Sequence, residues 1–398
     1  MLKKTSLYFI IVFFSLIVSL IIGEIYFILN DKEKFNKTET NKKKILLYDE
    51  NLGWTQNHNM ISKIYGDEFG TFTQITNNLG FNNLIDFDDK INHENKVLVL
   101  GDSHTQSTGV ATKKIWTEIV NKKFGDKKKY ILFNTASGGY NLDQYYFSLI
   151  KYIDIIKPNL VILGFTSATD FYDVGRFNEQ FIAGKKTGRS YFKLSGNNLI
   201  IDKSLQGEKN ITISENSNEN DYGNKKYIQI IKNNLNKLYI YRNLKGTKIS
   251  YFLVSKFRSE NYSIWPGMEM ALKIKLNNLE REKLKLIDKI LSLINDECNK
   301  RNIDLIILHL PYIVETYPDI WEYTYKSNPN FSIDGGEKKL INLTNKHHIR
   351  LIKTREIMEK EFLNTKKRLH FMRDGHMNND GHIVIGRIVS NYLAKNYP

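Results

Sequence analysis

The stretch Lys96-Val97-Leu98-Val99-Leu100-Gly101-Asp102-Ser103-His104-Thr105 decides how the chain is read. Residues 97–100 form a continuous apolar run, the mark of a strand buried on both faces, and the run stops at a glycine followed by polar, chemistry-bearing side chains. Runs of the same kind stand at 130–133, 160–163, 303–310 and 349–352. Helix-length periodic stretches lie among them at 115–124, 142–156, 276–299, 337–346 and 382–395. Alternating strand and helix predicts an α/β domain, a three-layer α/β/α arrangement with a mostly parallel central sheet and helices on both faces.

Working outward, residues 46–84 mix aromatics with Gly and Asn, as short strands and turns do, and 46–95 is expected to be an N-terminal extension to a main domain over 96–398. A polar stretch at about 174–270 interrupts the alternation. Within it Tyr191-Phe192-Lys193-Leu194, Ser195-Gly196-Asn197-Asn198 and Leu199-Ile200-Ile201 read as a β-hairpin, and 208–226 as a surface excursion or disordered segment. No internal repeat is found.

Composition bounds the function. The 398 residues, 41% hydrophobic and 25% charged, exclude global disorder. One cysteine, Cys298, excludes a disulfide framework and a thiolate zinc site, and its helical setting reads as buried filler. The net charge of +15 suits nucleic acid, anionic lipid or an acidic polysaccharide. The lysines, however, accompany Asn and Ile along the whole chain, with no arginine-rich helix, aromatic-laced basic stripe or zinc finger, so nucleic acid is not the expected partner.

Residues 7–22 carry no charge and the apolar run resumes at 25–29, together roughly the ~20 residues that cross a bilayer. Lys3 and Lys4 precede it and favour a cytoplasmic N-terminus, although 32–44 is lysine-rich too. No Ala-x-Ala-like site and no lipobox cysteine follow. The expectation is an uncleaved signal anchor over 1–29, with a cleaved signal peptide as the alternative. A polar tether at 30–45 and a body outside the cytoplasmic membrane complete it.

In open α/β sheets ligands bind beyond the carboxyl ends of the strands. There stand Gly101-Asp102-Ser103-His104, then Asn134 with Ser137-Gly138-Gly139-Tyr140-Asn141, then Thr166-Ser167-Ala168-Thr169-Asp170. Near the C-terminus comes Arg373-Asp374-Gly375-His376-Met377-Asn378, followed by Gly381-His382. Each is weak alone; in this order the set is similar to the SGNH hydrolase superfamily, the GDSL esterases and lipases. Gly101-Asp102-Ser103 matches the first block, and Gly139 with Asn141 and Gln144 resembles the second. Asp374, His376 and Asn378 match an Asp-x-His-x-Asn variant of the last, as in membrane-anchored members and alginate O-acetyltransferase-like proteins. The stretches at 51–54 and 76–81 resemble the extension that precedes the fold in such members.

The resemblance implies a flavodoxin-like fold, Ser103 as nucleophile, His376 as the base and Asp374 as its orienting partner. Residues i and i+2 of an extended segment point to one side, so Asp374 and His376 can meet locally. It also implies an oxyanion hole from the Ser103 N–H, a glycine N–H (Gly139, or its neighbour Gly138) and an asparagine. Here the sequence departs: Ala168-Thr169-Asp170 replaces Gly-Asn-Asp. Losing one such donor costs about 3 kcal/mol. The departure leaves three readings: a slower enzyme, with the shorter Thr169 hydroxyl as the donor at that position; a donor from Asn141 or Ser167; or an inactive descendant.

His104 is expected to line the pocket and contact substrate, and His382 to pack or cap the last helix. A metal site from Asp374, His376, His382 and His370 lacks an HExxH pair or cysteine ligands, so no metal is expected. No Gly-x-Gly-x-x-Gly, Walker or Gly-x-Ser-x-Gly pattern occurs, so neither a nucleotide cofactor nor the ordinary α/β-hydrolase arrangement is expected. The leading expectation is an anchored esterase or O-acyltransferase working on acyl, foremost acetyl, esters of a cell-surface glycan, with a membrane acyl-transfer partner in the transferase case. The alternative is a non-catalytic SGNH-fold glycan-binding or assembly subunit.

Overall fold

The computed structural model describes residues 45–209 and 269–397, apart from 67, 92, 126, 128, 176–179, 183–184 and 205, together with positions 14, 15, 18, 19 and 22. The chain divides into two units, one of residues 1–39 and 212–253 and one of residues 40–211 and 254–398. The first lies almost wholly outside the described residues, so everything below concerns the second. The apolar run at 7–29 falls largely outside them too, as do the tether at 30–44 and most of the polar stretch at 208–226. Among the described residues no helix is long and apolar enough to cross a membrane.

Two antiparallel hairpins open the described chain, β1 (Leu46–Asp49) with β2 (Gly53–Gln56), and β3 (Ile61–Gly66) with β4 (Gly70–Ile75). Then come β5 (Asn95–Leu100), β6 (Tyr130–Asn134) and β7 (Leu160–Thr166). A third hairpin follows, β8 (Tyr191–Ser195) with β9 (Asn198–Asp202), turning at Gly196-Asn197 as the sequence predicts. A small sheet of Gln180–Ile182, Lys185–Gly188 and Gly207–Lys209 flanks it in sequence. The last strands are β10 (Asp304–Leu310) and β11 (Arg350–Ile352).

The central sheet has five strands, all parallel, in the order β11-β10-β7-β5-β6. All five apolar runs of the sequence lie in it. Alternation along each strand splits its side chains between two cores. Leu98 and Leu100 of β5 join one, with Val161 and Leu163 of β7. Val97 and Val99 join the other, with Leu160 and Ile162.

Helices cover both faces. On the first lie α3 (Leu142–Ile156), α5 (Asn278–Asn299) and α6 (Gly335–Lys346); on the second lie α2 (Trp116–Gly125), α7 (Arg355–Thr365) and α8 (Asn379–Asn396). Two short helices stand at strand ends, α1 (Ser103–Gln106) after β5 and α4 (Ser167–Asp173) after β7. The fold is α/β with three layers. Its strand order reverses direction between β5 and β7, the switch point where such sheets open a crevice. The Ser103 and Thr166–Asp170 segments both emerge there.

The crevice floor is tightly packed. Thr105 is fully buried, and a Cβ added at Gly101 or at Gly164 would overlap its side chain. The two glycines therefore let α1 settle onto the ends of β5 and β7. Gly164→Ala should overpack this contact and cost about 1–3 kcal/mol, lowering the melting temperature by several degrees. A thermal melt indistinguishable from wild type would contradict the packing described.

Candidate active site

Asp102 caps α1: its Oδ1 accepts the His104 N–H at 2.9 Å. The same carboxylate accepts from the Thr166 hydroxyl at 3.0 Å and the Thr169 hydroxyl at 2.8 Å. Burial pushes its pKa up, while the Thr169 hydroxyl foremost, the His104 N–H and the neighbouring His376 oppose that rise. The cap holds Ser103 at the first position of α1, where its N–H has no intrahelical carbonyl to bond.

The chain returns to Ser103 near its C-terminus. His376 Nε2 lies 2.7 Å from Ser103 Oγ, and His376 Nδ1 lies 2.5 Å from Asp374 Oδ1. With a carboxylate at Nδ1, that nitrogen carries the proton and Nε2 is left to accept the serine O–H. Asp374 Oδ1 also accepts the His376 backbone N–H at 3.3 Å. The two residues do meet locally, but through a turn with Gly375 at φ +101° and not through the extended segment expected from the sequence. The two side chains are about 32% and 19% exposed, so the pair is open to small molecules on one side. Asn378, last of the block, caps α8 by accepting the Gly381 N–H at 3.1 Å and donates to Arg368 O at 2.8 Å.

The other expected residues are placed differently. Asn141 is the N-cap of α3: its Oδ1 accepts the Asp143 N–H at 3.1 Å, and Gln144 Oε1 accepts the Asn141 N–H at 3.2 Å. The Asn141 amide donates to Asp173 O at 2.9 Å. Ser167 Oγ lies 2.7 Å from His309 Nε2 in the buried interior. Thr169 gives its proton to Asp102. All three side chains expected to replace the missing asparagine are thus engaged in the scaffold.

Gly138 sits beside Ser103, since a Cβ added to it would lie 3.8 Å from Ser103 Cβ. Its N–H donates to Gln106 Oε1 at 2.6 Å. Gly139 turns the chain at φ +79°, a left-handed conformation that suits glycine. His104 is buried and its ring stacks on that of His376, with centroids 4.5 Å apart. Burial, with the nearby histidines, pushes its pKa well down, so a neutral imidazole backs the His376 ring.

The sequence reading missed how the extension supports these loops. Trp54 Nε1 donates to Gly138 O at 3.2 Å, Gln56 Nε2 to Ala136 O at 3.3 Å, and Asn82 Nδ2 to Gln106 O at 2.5 Å. Glu68, in the β3–β4 turn, accepts from two backbone N–H groups beside Asp374. No spacing or motif marks these residues, because their partners are 24 to 306 positions away.

No family model and no curated protein matches the chain. Among solved structures it is similar to TesA, at 10% identity and a TM-score of 0.37, covering 75% of this chain and 98% of that one. It is also similar to the acetyl xylan esterase AlAXEase, at 12% identity and a TM-score of 0.39, covering 75% and 99%. A lipase/acylhydrolase from Enterococcus faecalis shows 10% identity and a TM-score of 0.37, covering 76% and 96%.

Two further histidines of the sequence reading, His370 and His382, lie buried in the interior. His370 bonds through Nδ1 to Tyr317 Oη at 2.9 Å and through Nε2 to Pro311 O at 3.2 Å, and burial pushes its pKa down to about 4. His382 opens α8 with both ring nitrogens buried and unpartnered, and burial pushes it down to about 3. Among the described residues no three His, Cys, Asp or Glu side chains are grouped as metal ligands would be. Cys298 is buried, its thiol pushed up to about 12.

These buried bases set a pH dependence of stability. Their folded pKa values lie below the unfolded value near 6.5, so the unfolded chain takes up their protons first. Stability is then full above pH 6.5 and falls as the pH drops towards 4, by roughly 1 kcal/mol per pH unit per histidine. His382→Leu should flatten the fall in melting temperature between pH 6.5 and 4 without lowering it at pH 7, because the two unsatisfied nitrogens disappear. Parallel curves for variant and wild type would refute this.

Proposed function

We propose that the chain is a membrane-anchored, extracytoplasmic serine esterase or O-acyltransferase of the SGNH type, acting on acyl esters, acetyl foremost, of a cell-surface glycan. The observation that carries the reading is the unbroken chain from Ser103 Oγ through the His376 ring to Asp374, at 2.7 and 2.5 Å. A lone serine hydroxyl is a weak nucleophile, and a neutral imidazole nitrogen within hydrogen-bond reach is what activates it.

Ser103 Oγ attacks the ester carbonyl as its proton passes to His376 Nε2. The imidazolium formed is stabilised by Asp374, which stays ionised. His376 returns the proton to the leaving alcohol as the C–O bond breaks, leaving an acyl group on Ser103. Water, or a sugar hydroxyl in the transferase case, then gives its proton to His376 and takes the acyl group, and as the bond to Oγ breaks His376 passes that proton back to Ser103. The oxyanion faces backbone donors, the Ser103 N–H and, by the family resemblance, the Gly139 N–H. The outward placement draws on the apolar run at 7–29 with Lys3 and Lys4, and the glycan draws on that placement and on the resemblance. In the transferase case a membrane acyl-transfer partner supplies the donor.

A second reading, a glycan-binding or assembly subunit without turnover, draws on one observation. Thr169, Asn141 and Ser167 are all engaged elsewhere, so no side chain of theirs stands in for the missing asparagine. A fluorophosphonate probe separates the two readings. Ser103 of wild type should be labelled, Ser103→Ala should not be, and His376→Ala should label about a thousandfold more slowly. Absence of labelling in folded wild type would favour the binding subunit.

Hydrolysis and transfer differ in what intercepts the acyl-enzyme. An acetyl-ester donor should release acetate alone without acceptor, and a transferase should divert most of the acetyl to glycan hydroxyls when acceptor is added. Acetate as the sole product despite abundant glycan would rule out transfer to that acceptor.

A further inference from the structure

We infer that Glu68, in the turn of an accessory hairpin, is a positioning residue for the Asp374–His376 pair, an inference that rests on the acyl chemistry proposed above. One carboxylate oxygen, Glu68 Oε2, accepts the backbone N–H of Arg373 at 2.8 Å and that of Asp374 at 2.8 Å. Two successive N–H groups converging on one anionic oxygen fix the direction of the backbone at the residue that orients the base.

Residues 366–378 lie between α7 and α8. The start of this loop is tied to the segment after β10, with the Leu369 N–H donating to Tyr317 Oη at 2.6 Å and His370 Nε2 lying 3.2 Å from Pro311 O. Further along, at the residues that lead into His376, the N–H groups of Arg373 and Asp374 go to Glu68, and the hairpin adds an apolar contact. Phe69, next to Glu68, packs against Phe371 with ring centroids 5.5 Å apart. Both rings lie on the backbone of Gly109, where an added Cβ would come within 2.8 Å of Phe371 and 2.9 Å of Phe69. Gly109 closely follows α1, the helix that begins with Ser103. The hairpin thus touches both the segment that bears the nucleophile and the loop that bears the base. The Ser103–His376 distance is set where these two meet, and an error of 1 Å there is worth about a hundredfold in rate.

The role is one of geometry and not of net charge, and the test is built on that difference. Glu68→Gln keeps an acceptor oxygen at the same reach; Glu68→Asp keeps the charge but draws the acceptor back by one methylene; Glu68→Ala removes it. With p-nitrophenyl acetate as the probe, Glu68→Ala and Glu68→Asp should lower kcat about 10- to 100-fold with KM within about twofold. Glu68→Gln should stay within about threefold of wild type in kcat. Should Glu68→Ala fail to fold, the polar Asp variant carries the same comparison.

A second readout does not need turnover. The proton on His376 Nδ1, bonded to Asp374, should give a low-field proton resonance that His376→Ala removes. Glu68→Ala and Glu68→Asp should broaden or lose it, and Glu68→Gln should keep it. The inference is overturned if kcat and the resonance survive in the Ala and Asp variants, or if Gln is as impaired as Ala. Wild type with the resonance but neither turnover nor probe labelling would overturn the esterase reading alone, and the resonance in the variants would then decide the role of Glu68.

Discussion

A 2.7 Å hydrogen bond joins Ser103, just past the end of β5, to His376, just ahead of α8. Neither residue can bring the other into place by itself, since 273 positions separate them. What brings them together is the strand order. β5 lies between β6 and β7, with the sheet's direction of growth reversing beside it, so the residues after β5 face an open crevice. Helix α8 covers the face that carries Val97 and Val99, which delivers the loop before it to the same rim. The two buried cores therefore do more than stabilise the sheet: their packing sets a distance on which general-base chemistry depends to within a fraction of an ångström.

The N-terminal extension is built into this arrangement. Trp54 and Gln56 of β2 hold carbonyls of the second site loop, Asn82 holds the Gln106 carbonyl, and Glu68 holds the last loop. Trp54 is itself fully buried and receives the Tyr140 hydroxyl on its carbonyl at 2.5 Å. A typical hydrogen bond of this kind contributes only about 1 kcal/mol net. Their value is directional, because each fixes the plane of a peptide in a loop that lacks regular structure.

The sheet was legible because strands buried on both faces are apolar throughout, and the runs at 97–100, 130–133 and 160–163 have that form. The run at 303–310 keeps an apolar centre between Asp304 and His309, while 349–352 carries the exposed Arg350 of the edge strand β11. The β8–β9 turn was legible from Gly196-Asn197 between two β-branched and aromatic runs. The meeting of Asp374 with His376 was expected from an extended i, i+2 spacing but comes about through a turn at Gly375, whose φ of +101° suits glycine. Asn141 shows where reading by resemblance misleads: Asn141-x-x-Gln144 is also a capping box, and that local role takes the side chain. The short helix α4 and the helix α7 left no clear apolar period, and Glu68 left none at all, because a hydrogen bond between distant segments has no signature in either segment. Thr169 was read as a donor towards substrate, yet the nearer buried carboxylate takes its proton.

That exchange explains the departure at the third block. Asp102 accepts from the His104 N–H, Thr166 and Thr169, and these donors oppose the upward push that burial gives its pKa. Asp170 lies close by: burial foremost, with the Asp102 charge, pushes its pKa well up, and it accepts from the Tyr145 hydroxyl at 2.8 Å and the Thr166 N–H at 2.7 Å. Two buried carboxyl groups thus lie beside the Ser103 segment, and the donors aimed at Asp102 lower the cost of burying it. Thr169 does that from the position where an asparagine would have faced the substrate. Under the acyl chemistry proposed, an oxyanion would be met by backbone N–H groups, and the peptide planes around Ser103 would set their direction. The hydrogen bonds from the extension hold the peptides of the neighbouring segments, which is the rigidity such chemistry would need.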